Sequence, residues 1–202
     1  MTKTTNDVGE AASTIARVLA NAAKLFREQG YAGTTTRQIA ATSGLQSASL
    51  YHHIGGKEDL LYRLSMTTLE EVAELFAKCV SGTQSPVEAL ELLARSYVEL
   101  LLRERDRHAV MLNEIRSLSP ERRNEVVGLR DRNVAVVRDV VAQAQGAGQL
   151  RRDIDPRHAT LALFNLLNWT IFWYDPAGDL EPATIGEMLW SVYHRGVSVG
   201  SK

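Results

Sequence analysis

The feature that most constrains this chain is the spacing of its apolar residues, which recur every three or four positions along almost the whole sequence. That period places apolar side chains on one face of an α-helix, and no segment shows the sustained alternation of a β-hairpin. In the first clear example Ile15, Leu19 and Phe26 share a face, and Gly30 provides a stop signal. We therefore predict an all-α protein whose first helix covers about Ser13 to Gln29.

Capping patterns mark where the following helices begin. Thr35 and Gln38 form a capping-box pattern, which predicts a short helix over residues 36–43 that ends at Gly44. A third short helix is predicted over residues 47–53, before a pair of glycines breaks the chain. The remaining helices are predicted at about residues 57–80, 86–104, 106–117, 120–145, 156–174 and 182–199, which makes about nine in all.

These breaks divide the chain into a three-helix head, residues 1–55, and a larger helical body, residues 56–202. Charge separates nearly the same parts. Residues 1–57 carry six basic and three acidic side chains, a net charge of +3, although the whole chain has a net charge of −1. We therefore expect any DNA contact to lie near the N-terminus, the alternative being a mildly basic surface without that role.

Composition and motifs argue against several other classes of protein. Cys79 is the single cysteine, and there is no Cys-x-x-Cys pair or Cys/His cluster, so we expect no disulfide, no metal and no cofactor. The sequence has no phosphate-binding glycine loop, His-Glu metal motif or serine elbow, which argues against an enzyme. A polar start and the lack of an apolar run of about 18 residues predict a cytoplasmic protein that does not enter a membrane.

The two short helices and the tight turn at Gly44 match a helix-turn-helix, in which the second helix enters the major groove of DNA. Helices this short need apolar support, which Ile39, Leu45 and Leu50 can supply. Small or polar groups on the outer face can approach base edges, and their polar neighbours can reach phosphates. The predicted DNA contacts are Thr34, Thr35, Thr36, Arg37, Gln46, Ser47, Ala48, Ser49, Tyr51, His52 and Lys57. Helix capping alone is the alternative for the threonines, and simple solvation is the alternative for Arg37.

The segment from Gly30 to Leu60 resembles the DNA-binding signature of the tetracycline-repressor (TetR) family. The matching positions are Gly30, Tyr31, Thr34, Thr35, Ile39, Ala40, Gly44, Leu50, Tyr51, His53, Lys57 and Leu60. The family usually has serine, glycine and phenylalanine where this chain has Gln46, Ala48 and Ile54. These differences lie in or directly beside the reading helix, so they bear on the operator sequence rather than on the mode of binding.

In the predicted helix 156–174 apolar residues cover nearly every face, so this helix must be buried on all sides. Covering it in a chain of 202 residues takes both the chain's own core and a second chain. With the last helix as companion, two helices from each protomer would form a two-fold four-helix bundle, and the TetR resemblance implies the same homodimer. The predicted interface residues are Leu161, Phe172, Trp173, Ile185, Leu189, Val192 and Tyr193.

Polar residues interrupt the apolar helices of the body, and they need hydrogen-bond partners if they are buried. One interpretation is bonding within the core or across the dimer. The other is an apolar effector cavity with a few polar groups, which the family resemblance favours. The predicted effector contacts are Tyr97, His108, Met111, Arg116, Phe164, Asn165, Asn168 and Trp169.

The segment Trp173–Leu180, with Ile185 and Gly186, resembles the C-terminal part of TetR-family repressors of sterol and fatty-acid catabolism. Several of those proteins respond to acyl-CoA thioesters, and the arginines between residues 103 and 132 could receive the CoA phosphates. A plain bend between helices is the alternative for the segment, and a solvated salt-bridged surface is the alternative for the arginines.

The sequence therefore predicts a ligand-responsive transcriptional regulator that binds double-stranded operator DNA as a homodimer. We expect a repressor that a small hydrophobic effector, such as an acyl-CoA thioester, releases from its operator. The alternative is a helical protein-interaction module without sequence-specific DNA binding, which would not show salt-dependent binding of duplex DNA.

Overall fold

The computed structural model describes the backbone of residues 3–199 and the side chains of residues 13–50 and 54–199. Over these residues the regular elements are helices, apart from one isolated β-bridge between Leu150 and Ser198. The all-α prediction is confirmed. The helices are α1 (Lys3–Gly33), α2 (Thr36–Thr42), α3 (Ser47–His53), α4 (Lys57–Ser81), α5 (Pro86–Arg103), α6 (Arg105–Glu114), a 3-10 turn (Ile115–Ser117), α7 (Pro120–Gly146), α8 (Pro156–Asn168), α9 (Thr170–Trp173) and α10 (Pro182–Val197). None of the helices among the described residues is long and apolar enough to cross a membrane.

Local capping signals predict several helix starts correctly. α2 begins at Thr36, α5 at Pro86 and α10 at Pro182, as the sequence indicated. Each of these helices follows a residue with extended backbone. In α2 the Thr35 side chain accepts a hydrogen bond from one of the N–H groups that a helix start leaves unbonded, and in α5 and α10 the first residue is a proline, which has no N–H group. Neighbouring residues decide these ends, so distant contacts do not override them.

The structure differs from the predicted bounds at three places. α1 begins well before its predicted start, at Lys3, although Gly30 interrupts its last turn with a φ of +75°. The predicted eighth helix divides into α8 and α9 at Trp169, whose ψ of −19° tightens the turn. The predicted sixth helix ends at Glu114 and continues as the 3-10 turn.

The chain forms two compact units. The first contains the residues up to Thr68 together with Asp106–Val127, and the second contains Leu69–Arg105 and the chain from Gly128 onward. The helix-turn-helix thus shares its unit with a segment that follows α5. The division at residue 55 drawn from the sequence follows a local break in the chain, and it does not include that segment.

The first unit is built around the buried face of α1. Val18 and Phe26 of α1 are buried there, as are Ile39 of α2 and Leu50 of α3. α2 packs against both α1 and α3. The helices α2 and α3 have seven residues each, too few to be stable alone, so this packing is what holds them.

In the second unit α5 packs against α8, α9 and α10, and α8 also contacts α10. Leu90, Leu93 and Leu101 of α5 are fully buried. α5 and α10 approach each other closely at Gly186, where a Cβ atom would lie 3.0 Å from Arg95 Cα and 3.2 Å from Arg95 O. A side chain at this position would therefore crowd the backbone of α5.

We predict that Gly186→Ala destabilises the protein, because the added methyl group meets backbone atoms of Arg95 that cannot rotate away. Overpacking of this kind costs about 1 to 3 kcal/mol, which urea denaturation followed by circular dichroism would measure. Gly196→Ala on the same helix is the matched control, since a Cβ there meets no atom within 4 Å and stability should be unchanged or slightly raised. Equal stability of the Gly186 variant and wild type would contradict a tight crossing.

Candidate nucleic-acid interface

The turn between α2 and α3 is a Schellman motif. Gly44 has a φ of +68°, and its N–H donates to Ala41 O (3.1 Å). The next N–H, of Leu45, donates to Ala40 O (2.9 Å). These bonds satisfy carbonyl groups at the end of α2 and fix the direction in which α3 leaves the turn.

The start of α2 carries the predicted capping box. The Gln38 N–H donates to Thr35 Oγ1 (3.2 Å), and the Thr35 N–H donates to Gln38 Oε1 (2.8 Å). At the other end of α2, the Asn21 side chain of α1 donates to Ser43 Oγ (3.1 Å). α2 is therefore fixed at both ends and gives α3 a rigid base.

α3 turns its large apolar residue inward and its small residues outward. Leu50 is buried in the core of the first unit. The residues predicted to read base edges reach the surface, since Gln46 and Ala48 are exposed and Ser47 and Ser49 are half-buried. The short side chains of Ser47, Ala48 and Ser49 allow the backbone of α3 to approach the floor of a groove closely.

Lys57 and Thr34 make contacts inside the head. The Lys57 ammonium donates to Tyr31 O (2.8 Å) and Thr34 O (3.0 Å), and Nζ lies 4.3 Å from the centre of the Tyr31 ring. The Thr34 side chain is buried, and its hydroxyl donates to Gly30 O (2.9 Å). Thr34 therefore positions the loop before α2 instead of presenting its side chain to DNA. Lys57 has one N–H beyond these two bonds for a phosphate.

Five other predicted phosphate contacts lie near the start of α2 or on α3. Thr35 and Arg37 are exposed and Thr36 is half-buried, so they stand at an accessible helix start, where phosphate is favoured. The side chains of Tyr51 and His52 lie outside the residues whose side chains the structure describes, and their contacts stay predictions.

Two polar contacts that the sequence analysis missed join α6 to α1. Arg27 forms an ion pair with Asp106, and the Tyr31 N–H donates to Glu114 Oε1 (3.4 Å). The partners are 79 and 83 positions apart in the chain. No local pattern reveals which carboxylate meets which donor over such a separation.

The start of α7 is held in the same unit. Glu58 accepts a hydrogen bond from the Ser119 N–H (3.0 Å), and this bond lowers the pKa of the Glu58 carboxyl. Asp59 lies between Arg63 (2.8 Å) and Arg122 (3.0 Å). The segment 106–127 is therefore bonded both to α1, against which the helix-turn-helix packs, and to α4, which follows it.

The eight predicted effector residues fall into two sets, three in the first unit and five in the second. In the first, His108 and Met111 are buried and Arg116 is exposed. Burial, with a smaller contribution from Arg107, lowers the pKa of His108 to about 3. The imidazole is therefore neutral near pH 7 and behaves as a core side chain.

An aromatic cluster in the second unit brings together three of the other five. Phe76, Tyr97 and Phe164 have ring centres 5.5 to 6.0 Å apart. The buried Tyr97 hydroxyl donates to Asn168 Oδ1 (2.8 Å), and burial raises the pKa of this tyrosine. The cluster therefore combines apolar walls with one polar pair, and Phe76 is the member that the sequence analysis missed.

The remaining two, Asn165 and Trp169, lie on the exposed face of α8 and at its end. Trp169 is 64 % exposed, and its ring centre lies 4.8 Å from that of Phe172. Leu161, Phe172 and Trp173, which were predicted at the dimer interface, are exposed as well. The structure thus places two predicted effector residues on the same surface as three predicted interface residues.

The predicted interface residues of α10 divide between two faces. Val192 is 59 % exposed and Leu189 is half-buried. Ile185 and Tyr193 are buried inside the protomer, and burial raises the pKa of Tyr193 to about 12. Ile185, Leu189 and Tyr193 recur every four residues and share one face of the helix. On the other face, Met188 and Val192 are both exposed. Met188, which was not among the predicted interface residues, is therefore available at the surface, whereas Ile185 and Tyr193 are not.

A surface groove of about 360 Å³ lies between α4 and α5. Its charged lining contains three glutamates, Glu71, Glu74 and Glu99, against Lys78 and Arg103. None of the predicted effector residues lines this groove. Its excess of negative charge opposes an anionic ligand, so we do not place the effector there.

Two family models match the chain. The model for bacterial regulatory proteins of the tetR family matches residues 18–64, and the model for the tetracyclin repressor-like C-terminal domain matches residues 83–197. This chain belongs to the TetR family. Members of the TetR family bind operator DNA, dimerise and bind effectors, and the family predicted from the sequence is confirmed.

The TetR-family chain is similar over most of its length to known regulators. It is 26 % identical to the HTH-type transcriptional repressor KstR2 of Mycobacterium tuberculosis over 193 residues, 94 % of this chain and 96 % of KstR2. The crystal structure of the regulator PfmR from Thermus thermophilus has a TM-score of 0.83 at 32 % identity, covering 89 % of this chain and 97 % of PfmR. The structure of AibR with isovaleryl coenzyme A and operator DNA has a TM-score of 0.81 at 27 % identity, covering 89 % of this chain and 97 % of AibR.

We predict that Arg37→Ala weakens operator binding and reduces its salt dependence without loss of stability. Arg37 is exposed at the start of α2, so its removal leaves the core unchanged. Losing one phosphate contact lowers the slope of log affinity against log salt by roughly one unit, which fluorescence anisotropy over a salt series would measure. An unchanged slope and affinity would remove Arg37 from the contact surface.

Lys57→Ala should behave differently, because its ammonium bonds two loop carbonyls within the head. We expect a loss of roughly 1 to 3 kcal/mol in stability as well as weaker operator binding. Thermal unfolding of both variants separates the two roles. A Lys57 variant with the wild-type melting temperature would show that these bonds contribute little to the fold.

Proposed function

We propose that this TetR-family protein represses transcription from a specific operator and leaves it on binding a small hydrophobic effector, an acyl-CoA thioester. The observation that carries the proposal is the rigidly capped helix-turn-helix with an accessible reading face. The proposal includes a cytoplasmic location and no catalysis of its own.

The chemistry of the head supports sequence-specific reading. Gln46 can form a bidentate contact with adenine, and the hydroxyls of Ser47 and Ser49 can donate to or accept from several bases. Thr36 and Arg37 at the start of α2 would anchor the phosphate backbone and fix the position of α3 on the duplex.

Similar proteins support the class of effector. AibR was solved with isovaleryl coenzyme A and operator DNA, and the solved structure of KstR2, with a TM-score of 0.86 at 25 % identity, is described as a ketosteroid transcriptional regulator. Isovaleryl and ketosteroid groups both have apolar carbon skeletons. The resemblance of the C-terminal segment to regulators of sterol and fatty-acid catabolism points the same way.

Within the second unit, the cluster of Phe76, Tyr97 and Phe164 is the best candidate for contact with the acyl group. Its rings supply apolar walls, and the Tyr97–Asn168 pair supplies a polar group at the edge. Asn168 accepts from Tyr97 through Oδ1, so its amide N–H groups can donate to a thioester carbonyl. His108, Met111 and Arg116 stay predicted contacts.

Release from DNA requires that the effector bind two conformations with different affinity. A tenfold change in operator affinity corresponds to about 1.4 kcal/mol of such a difference. In the first unit, Asp106 and Glu114 of α6 bond Arg27 and Tyr31 of α1. We propose that an effector-driven movement of α6 acts on the head through these contacts.

The operator itself can be found by selecting bound sequences from random duplexes with the purified protein. We predict that replacing Gln46, Ser47 and Ser49 together by alanine changes the selected sequence, since each good base contact discriminates by roughly 1 to 3 kcal/mol. Gln143→Ala, at an exposed position of α7, is the control and should select the wild-type operator. If the triple variant also selects that operator, specificity arises from DNA shape instead.

The effector is tested on the protein–operator complex with isovaleryl-CoA and longer acyl-CoA thioesters, and with free CoA as the control ligand. We predict that Tyr97→Phe leaves operator affinity unchanged but raises the acyl-CoA concentration for half release by up to about tenfold, because the bond that orients Asn168 is lost. Tyr174→Phe, outside the cluster, should release normally. Failure of every thioester to bind or release would refute the effector class while leaving the operator result intact.

A further inference from the structure

From Leu161 to Trp173, the exposed residues of α8 and α9 are apolar except at one position. Leu161 is 43 % exposed, Trp169 64 % and Phe172 52 %, and Asn165 stands between the first two, four residues from each. We call these four residues the outer stripe. A group of large apolar side chains exposed together marks a place where another molecule binds.

Asn165 lies at the centre of the exposed arc. A helix rotates by about 100° per residue, so Asn165 stands opposite the midpoint of the buried Leu163 and Leu167. Leu161 and Trp169 flank it on either side, roughly 40° away. Any partner that covers the outer stripe must therefore bury the Asn165 amide.

Among the residues whose side chains the structure describes, the Asn165 side chain has no hydrogen-bond partner, in contrast to Asn168, which accepts from Tyr97. A buried amide without a partner is costly, so the covering surface must supply both a donor and an acceptor. A second copy of the chain supplies both, because an amide is complementary to another amide and a two-fold interface presents the same surface from both sides.

A second copy is also the occupant that the rest of the structure favours. TetR-family proteins dimerise. α10 contacts α8 and also exposes two apolar residues, Met188 and Val192. A dimer that reads two half-sites needs one fixed spacing between its heads, and an apolar surface alone would tolerate several registers.

We propose that Asn165 bonds Asn165 of the partner subunit across the two-fold axis and sets the register of the homodimer. A shift of α8 by one turn would place each amide against Leu161 or Trp169 and leave it without a partner. The amide therefore makes the apolar surface selective for its own copy in one register, at some cost in stability. This assignment does not depend on the identity of the effector.

The test replaces Asn165 by aspartate in one tagged chain and by lysine in another. Each variant alone would bring two like charges together at the axis, and we expect its dimer dissociation constant to rise by about tenfold or more. Mixed, the two variants should form heterodimers with a dissociation constant within about threefold of wild type. Sedimentation velocity measures the constants, and the two tags identify the heterodimer. Gln143→Asp and Gln143→Lys, at an exposed amide of α7, are the matched controls and should dimerise normally alone and mixed.

Undisturbed dimers of either single variant, or weakened dimers that mixing does not restore, would overturn the proposal. Asn165→Leu provides a second readout that introduces no charge. It should dimerise at least as tightly as wild type but bind a two-half-site operator more weakly, because several registers become possible. A leucine variant with wild-type operator affinity would equally overturn the role of the amide.

Discussion

The packing of α2 and α3 against α1 is the constraint on which the DNA-binding head depends. Each of the two helices has seven residues and cannot persist alone. Buried side chains such as Phe26, Ile39 and Leu50 supply the missing stability, and the capping box and the Schellman turn satisfy the helix ends. A reading helix fixed in this way presents the same face at every encounter with DNA, which sequence-specific recognition requires.

The contacts between α6 and α1 are of a different kind. The ion pair of Arg27 with Asp106 is partly exposed, and such pairs contribute about 1 kcal/mol or less. The bond from the Tyr31 N–H to Glu114 is long at 3.4 Å. Weak contacts suit a regulator. A ligand can shift the protein between two states only by the difference in its binding free energy for them, so the contacts it breaks must contribute less than that difference.

The two proposals concern neighbouring positions on α8. Its Asn168 accepts a hydrogen bond from Tyr97 beside the aromatic cluster, whereas Asn165 lies on the outer stripe, between Leu161 and Trp169. The effector proposal and the dimer proposal therefore concern one rigid helix. An effector that displaces α8 would also move the outer stripe, because a helix moves as a unit.

The sequence by itself determined the features that depend on neighbouring residues. Thr35 and Gln38 lie three residues apart, and Gly44 acts on the turn in which it stands, so the helix-turn-helix and its family signature were predictable. Only the tertiary structure decided the direction of individual side chains. Lys57 bonds carbonyls 26 and 23 positions away, and Tyr193 is buried while its neighbour Val192 is exposed. Capping energy comes from adjacent residues, whereas burial comes from contacts between residues that are distant in the chain.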